Sequence, residues 1–395
     1  MIKIILLLSL CVLNLQNSCN QETKKTSSEV PILSDNNVSV DVVQNSPTKA
    51  IEVENQQKDL PVNWPWRGVS VESKKTKPED LIYLKSIHVN FVRIFIKGDK
   101  RAKREKINPT LAFNKELSWA DSILDFAKSQ GITCMIAFNN LNLDPNSEID
   151  DKHPDFWQNK SLVDSAINLV DIIVKRYQNR GIELTAYEVI GEPAVESLGR
   201  MKTPDNIEDF YKRILTTIRK YDTQRYFLLT PGPWGKPNNY NKFNGYDIKD
   251  KKLIYGVHMY LPDPFTHQGV KKRPRGLKYP GFIDQVYWDK KVLREKFAKL
   301  KAFEAKTGNL IFVGEFQSIK WSDGGNIWLK DVVDIIDENK WAWAMYGFQC
   351  DTDFWDPYYD VVNKKGDSKE WKIEYVGKET EGWKMMVDYF KLNKK

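Results

Sequence analysis

Short runs of β-branched and apolar residues alternate with longer amphipathic segments along most of the chain. The runs at 68–71, 90–96, 132–138, 184–190, 226–230, 253–259, 311–316 and 341–348 have the length and composition of strands. Helical periodicity is expected between them, at 78–87, 118–129, 162–177, 204–221, 290–306, 327–338 and 381–392. Terminal signals agree: Pro78 and two acids open the first helix, and Gly131 and Gly181 follow the second and third. The crossover near Asp247 is short. Eight strand–crossover units over about 330 residues predict an α/β fold of the (β/α)8 TIM-barrel type. A doubly wound sheet would need a glycine fingerprint after its first strand, and none stands there.

The start of the chain departs from this pattern. A short basic stretch, an apolar run over 4–15 and Ser18-Cys19 predict a lipoprotein-type signal peptide over 1–18, with Cys19 as the lipidated residue. Gln16 stands where a leucine is usual, so secretion without lipid is the alternative. Residues 19–60 are polar and aperiodic, a flexible linker. The barrel domain is expected over 61–395. The expected location is the outer membrane or cell surface, otherwise the periplasm or medium.

Composition adds exclusions. Of four cysteines, only Cys134 and Cys350 lie beyond the leader, so stability rests on the core rather than on disulfides. Four histidines without clustered ligand spacing predict no metal and no cofactor. No nucleic-acid motif is present, and a monomer is expected.

A barrel of this kind carries its chemistry at the C-terminal ends of its strands. Glu192 ends strand four, just before Pro193, and Glu315 ends strand seven. Two carboxylates at one mouth suit glycosidic cleavage, where one protonates the leaving oxygen and the other attacks the anomeric carbon. Taken singly, each is an ordinary strand-end glutamate. Strand two adds Arg93, able to keep a neighbouring carboxylate ionised. Strand six adds His258 and Tyr260, two apart and therefore on one face.

Arg93, Glu192-Pro193, the His258-Met259-Tyr260 run, Glu315 in VGEF and the strand-eight run WAWAMYGF together resemble glycoside hydrolase family 5, the cellulase-like family of clan A. The resemblance covers about 66–392. It implies Glu192 as acid/base and Glu315 as nucleophile, supported by Arg93, His258 and Tyr260. It also implies a retaining, endo-acting hydrolase of a β-linked glucan or mannan. A non-catalytic surface glycan-binding protein on a degenerate barrel is the alternative. The sequence departs from the family pattern around the cleavage subsite. Gly191 replaces the Asn before the acid/base, Asn139 stands where His is usual, and Tyr346 replaces a Trp, with Trp343 nearby. These mark a distant branch with a different sugar at that subsite.

Charge and aromatics then concentrate beside the mouth. The segments 97–106 and 271–278 carry eleven bases and two acids, an excess larger than the chain's net charge of +7. Solvated loops would account for them; an anionic or sulfated glycan is the sharper reading. Trp234 and Tyr240 follow strand five, Phe265, Tyr279 and Phe282 follow strand six, and Trp355, Tyr358 and Tyr359 follow strand eight. Sugar platforms are expected among them. Asn139, Trp234, Trp343, Tyr346 and Trp355 are the candidate substrate-binding residues, and a polysaccharide or oligosaccharide is the expected partner.

Overall fold

The computed structural model describes residues 60–138, 149–362 and 365–394. The leader, the linker, Cys19 and Asn139 lie outside the described residues.

All eight apolar runs form strands: β1 (Arg67–Glu72), β2 (Phe91–Phe95), β3 (Thr133–Phe138), β4 (Leu184–Val189), β5 (Tyr226–Leu229), β6 (Leu253–His258), β7 (Leu310–Glu315) and β8 (Ala342–Met345). Each pairs in parallel with its neighbours in sequence, and β8 pairs with β1 to close the barrel. This is a (β/α)8 TIM barrel.

Strand parity sorts side chains into two layers. Outward residues such as Val92, Ile94, Tyr187, Val257, Val313 and Trp343 pack against the helices in one large buried cluster. Inward residues Phe91, Met135, Ala186, Leu228, Ile254, Phe312, Ala342 and Ala344 fill the barrel, with Trp66 stacked on Phe91 at 4.3 Å. The barrel is thus a packed core whose apolar filling gives way to Arg93 and Glu188 further along the strands.

The crossover helices include α1 (Asp80–Ser86), α2 (Gly98–Glu105), α3 (Pro109–Gln130), α4 (Lys160–Tyr177), α5 (Ile207–Arg219), α6 (Lys290–Thr307), α7 (Gly325–Glu338) and α8 (Glu381–Phe390). Local capping explains several ends. The Asn159 side chain accepts from Ser161 and Leu162 N–H groups, and Asp289 from Val292. Gly131, at φ 63°, stops α3 in the left-handed conformation that glycine adopts without strain.

Two expectations change. The basic segment 97–106 is not a loop but mainly α2, closed by Lys106 at φ 54°. The helix expected at 118–129 begins about three turns earlier, because Asn108 caps Thr110 and Leu111 while Pro109 occupies the first turn. The short crossover near Asp247 is confirmed: β5 is followed by the 3-10 turns Pro233–Gly235 and Pro237–Asn241.

Candidate active site

The inward parity of β2 sends Arg93 into the barrel, fully buried. Its Nε and Nη2 donate to Glu188 of β4 at 2.6 and 2.7 Å, while Nη1 donates to Glu315 Oε1 at 2.8 Å and to the Gly314 carbonyl at 3.2 Å. A buried guanidinium this well matched stays charged. Phe95 packs beneath it, 4.2 Å from guanidinium carbon to ring centre.

Glu315 ends β7 beside a register shift at Gly314. Tyr260 Oη donates to its second oxygen at 3.3 Å, and His258 Nδ1 lies 3.9 Å from that oxygen. Burial pushes the Glu315 carboxyl up, but His258 and Arg93 outweigh it and hold it below the usual carboxylate range. This is an ionised carboxylate in a mostly buried setting.

Glu192 has a different environment. It is about a quarter exposed, and its Oε1 makes a 3.0 Å hydrogen bond with His258 Nδ1. Burial opposes charging of His258, yet Glu315 and Glu192 raise its pKa overall. Carboxylate oxygens of Glu192 and Glu315 and a ring nitrogen of His258 all lie within 4.8 Å of one another. That spacing would also suit a metal ion. Arg93 and Tyr260 donate to Glu315, and His258 shares a hydrogen bond with Glu192.

Both carboxylates open into a cavity of about 640 Å³. Tyr260, Tyr346, Trp234 and Trp355 line it, as do Lys97, Lys100, Lys152, Lys236, Lys271 and Arg273. Tyr346 donates to Glu72 at 2.8 Å and meets Trp355 edge-on at 5.8 Å. Trp355 also contacts Tyr260 and His267, so one aromatic wall adjoins Glu315.

The structure therefore brings together Glu192, Glu315, Arg93, His258, Tyr260, Trp234, Tyr346 and Trp355. Trp343 is a correction. It is fully buried on the outer face of β8, donates to Asp337, and packs against Phe316 and Phe390. Trp343 and Tyr346 are three apart, and a period of two sends them to opposite faces. Tyr240, Phe265, Tyr279 and Tyr358 are likewise buried packing residues, whereas Phe282 is exposed.

Sequence reasoning missed four site residues. Glu188 carries a charge at an inward strand position, a signal that parity alone exposes. Glu72 ends β1 and accepts from Lys97, Tyr346 and the Asp351 amide. Phe95 is the inward residue after Arg93. Asp151 lines the cavity from an irregular segment, and one of its buried oxygens accepts no hydrogen bond but lies 3.8 Å from Lys152 Nζ. Burial, opposed by Lys152 and aided by Asp150 and Glu192, raises its pKa to about 6.

Gly191 has a steric correlate here. A Cβ at this position would lie 2.4 Å from Glu188 Oε1 and 2.9 Å from Arg93 Nη2, so a side chain requires that buried pair to shift.

A closed parallel barrel with this carboxylate pair at its mouth has the architecture of a glycosidase. The model of the cellulase family, glycosyl hydrolase family 5, matches residues 53–351, and the chain belongs to that family. Endoglucanase H of Acetivibrio thermocellus is 26% identical over 181 residues, 45% of this chain and 17% of that longer protein. The chain thus spans less than a fifth of this curated relative. Among solved structures, Thermotoga maritima Cel5A in complex with cellobiose shares 19% identity at TM-score 0.60, covering 82% of this chain and 97% of that one. The same enzyme in complex with mannotriose gives 19% at TM-score 0.58, over 75% and 93%. The cellulose synthase subunit Z of Clostridioides difficile gives 16% at TM-score 0.59, over 82% and 99%. At these identities the structural likeness concerns the fold.

Proposed function

We propose that the protein is a retaining, endo-acting hydrolase of a β-linked polysaccharide of glucan or mannan type, acidic forms included. The observation that carries this reading is the approach of the Glu192 and Glu315 oxygens to within 4.8 Å, in unlike environments. Retaining enzymes hold their carboxyl groups roughly 5–5.5 Å apart and inverting ones roughly 6.5–9.5 Å to seat a water, and the close approach of this pair favours the first arrangement. The roles follow from the surroundings. Glu315, kept ionised by His258 and Arg93, attacks the anomeric carbon. Glu192, hydrogen-bonded to His258, protonates the departing oxygen and then takes a proton from the water that releases the glycosyl-enzyme. Tyr260, donating to Glu315, orients the nucleophile.

The endo reading is supported by a cavity lined by Trp234 and Trp355 and by the relative named endoglucanase. The glucan or mannan backbone accords with the cellobiose and mannotriose complexes of Cel5A. Export as a lipoprotein through Cys19 belongs to the same proposal; incorporation of labelled palmitate, lost in Cys19→Ser, tests it. Proton NMR of the first-formed anomer tests the mechanism. Retention is expected, and inversion removes Glu315 as nucleophile.

A further inference from the structure

Three of the six cations lining the catalytic cleft are answered within the fold. Lys97 pairs with Glu72 and Lys236 with Asp263, and Lys152 lies over the Trp234 ring near Asp151. Lys100 differs. From the first turn of α2 it lines the cleft, and it also lines an adjoining open recess of about 410 Å³ with Lys74, Lys103, Arg104 and Asp351. Among the described residues, no carboxylate lies within ion-pair distance of Lys74, Lys100 or Lys103, and Arg104 has only a 3.6 Å contact with Glu105. The recess holds a single acid, Asp351, whose carboxyl burial and Glu72 push above the usual range. Loss of water and the neighbouring Lys97 lower the Lys100 pKa, which an arriving anion would reverse.

The recess therefore gathers four cations against one acid, and Lys100 joins it to the cleft. Lys97, beside Lys100, acts electrostatically on Glu315 and lies over the Tyr346 ring.

We propose that Lys100, backed by Lys103 and Arg104, forms an anion-binding subsite for the sulfate or carboxylate groups of an acidic polysaccharide lying in the cleft. The proposal rests on the glycosidase reading of the cleft. Lysine supplies mobile point charges and arginine a planar fork, which together accept either anion in varied positions along a chain.

Binding tests it independently of turnover. Glu192→Gln protein is titrated with three soluble β-glucans of matched length: hydroxyethylated, carboxymethylated and sulfated. The expected result is at least about tenfold tighter binding of one or both anionic glucans at low salt, declining as salt rises. In the added K100M/K103Q/R104Q background the preference should fall to about twofold or less. Whichever anionic arm gains affinity identifies the group that the subsite takes. Equal binding of all three, or a preference unchanged by the triple substitution, overturns the subsite. Neither outcome bears on the hydrolase reading, which is judged separately by whether unsubstituted protein cleaves any β-glycan.

Discussion

Arg93 and Glu188 meet inside the barrel as a fully buried bidentate pair, with contacts of 2.6 and 2.7 Å. One guanidinium thus serves two carboxylates, and Glu315 receives a single 2.8 Å hydrogen bond from the remaining nitrogen. The sharing leaves Glu315 ionised yet incompletely neutralised, the condition a carboxylate nucleophile needs. In Glu188→Gln the whole Arg93 charge falls on Glu315. The acid limb of kcat/KM should move to lower pH and the plateau rate should fall. Glu188→Ala leaves Arg93 short of a buried partner and should cost about 3–5 kcal/mol in urea unfolding. An unshifted acid limb at full rate would reduce Glu188 to a packing role.

Glu192→Ala separates leaving groups. Protonation matters most for a poor leaving group, so cleavage of a natural glycosidic bond should fall roughly 10²–10⁴-fold. A dinitrophenyl glycoside, whose leaving phenolate needs no proton, should still form the glycosyl-enzyme rapidly, giving a burst. Stopped-flow release of dinitrophenolate checks this. Equal losses on both substrates would take the acid role away from Glu192. Glu315→Ala, by contrast, should lose the burst on either substrate.

How much of this could be read beforehand follows from strand chemistry. Every barrel strand announced itself as an apolar run, and Glu192, Glu315, Arg93, His258 and Tyr260 stood where a barrel places its mouth. Parity carried further information that the apolar pattern alone obscures. It assigns Trp343 outward and Glu188 inward, but a strand buried on both faces shows no alternation to read it from. The basic run at 97–106 concealed α2 because its apolar face is reduced to Ala102 packed beside α3. Asp151 was illegible for another reason: an irregular segment has no period linking sequence position to direction.

The His258 cluster sets opposite pH limits. The folded pKa of His258 is raised above its ordinary 6.5, so its stabilising contribution is complete below that value and is lost as pH rises through the raised one. The folded pKa of Glu315 is lowered below 4.5, so its contribution holds above that value and fades as pH falls through the lowered one. Stability from this cluster should peak between them. Urea midpoints at about pH 5.5 and about pH 9 should differ less in His258→Asn than in the parent. An undiminished difference would place the alkaline loss elsewhere.

The two tryptophans Trp343 and Trp355 should respond to substitution in opposite ways. Trp343 is wholly buried between β8 and the surrounding helices, so Trp343→Ala opens a large void and should cost about 3–5 kcal/mol of unfolding free energy. Protein that remains folded should keep its KM, because no part of that ring faces the cleft. Trp355 lines the cavity and touches Tyr260 and Tyr346 through ring edges. Trp355→Ala removes a stacking surface worth about 0.5–1.5 kcal/mol, so kcat/KM should fall roughly three- to tenfold with little change in unfolding. Differential scanning calorimetry beside steady-state kinetics on one polysaccharide separates the cases. A KM defect in Trp343→Ala, or a stability loss above about 2 kcal/mol in Trp355→Ala, would reverse the assignment of platform and core.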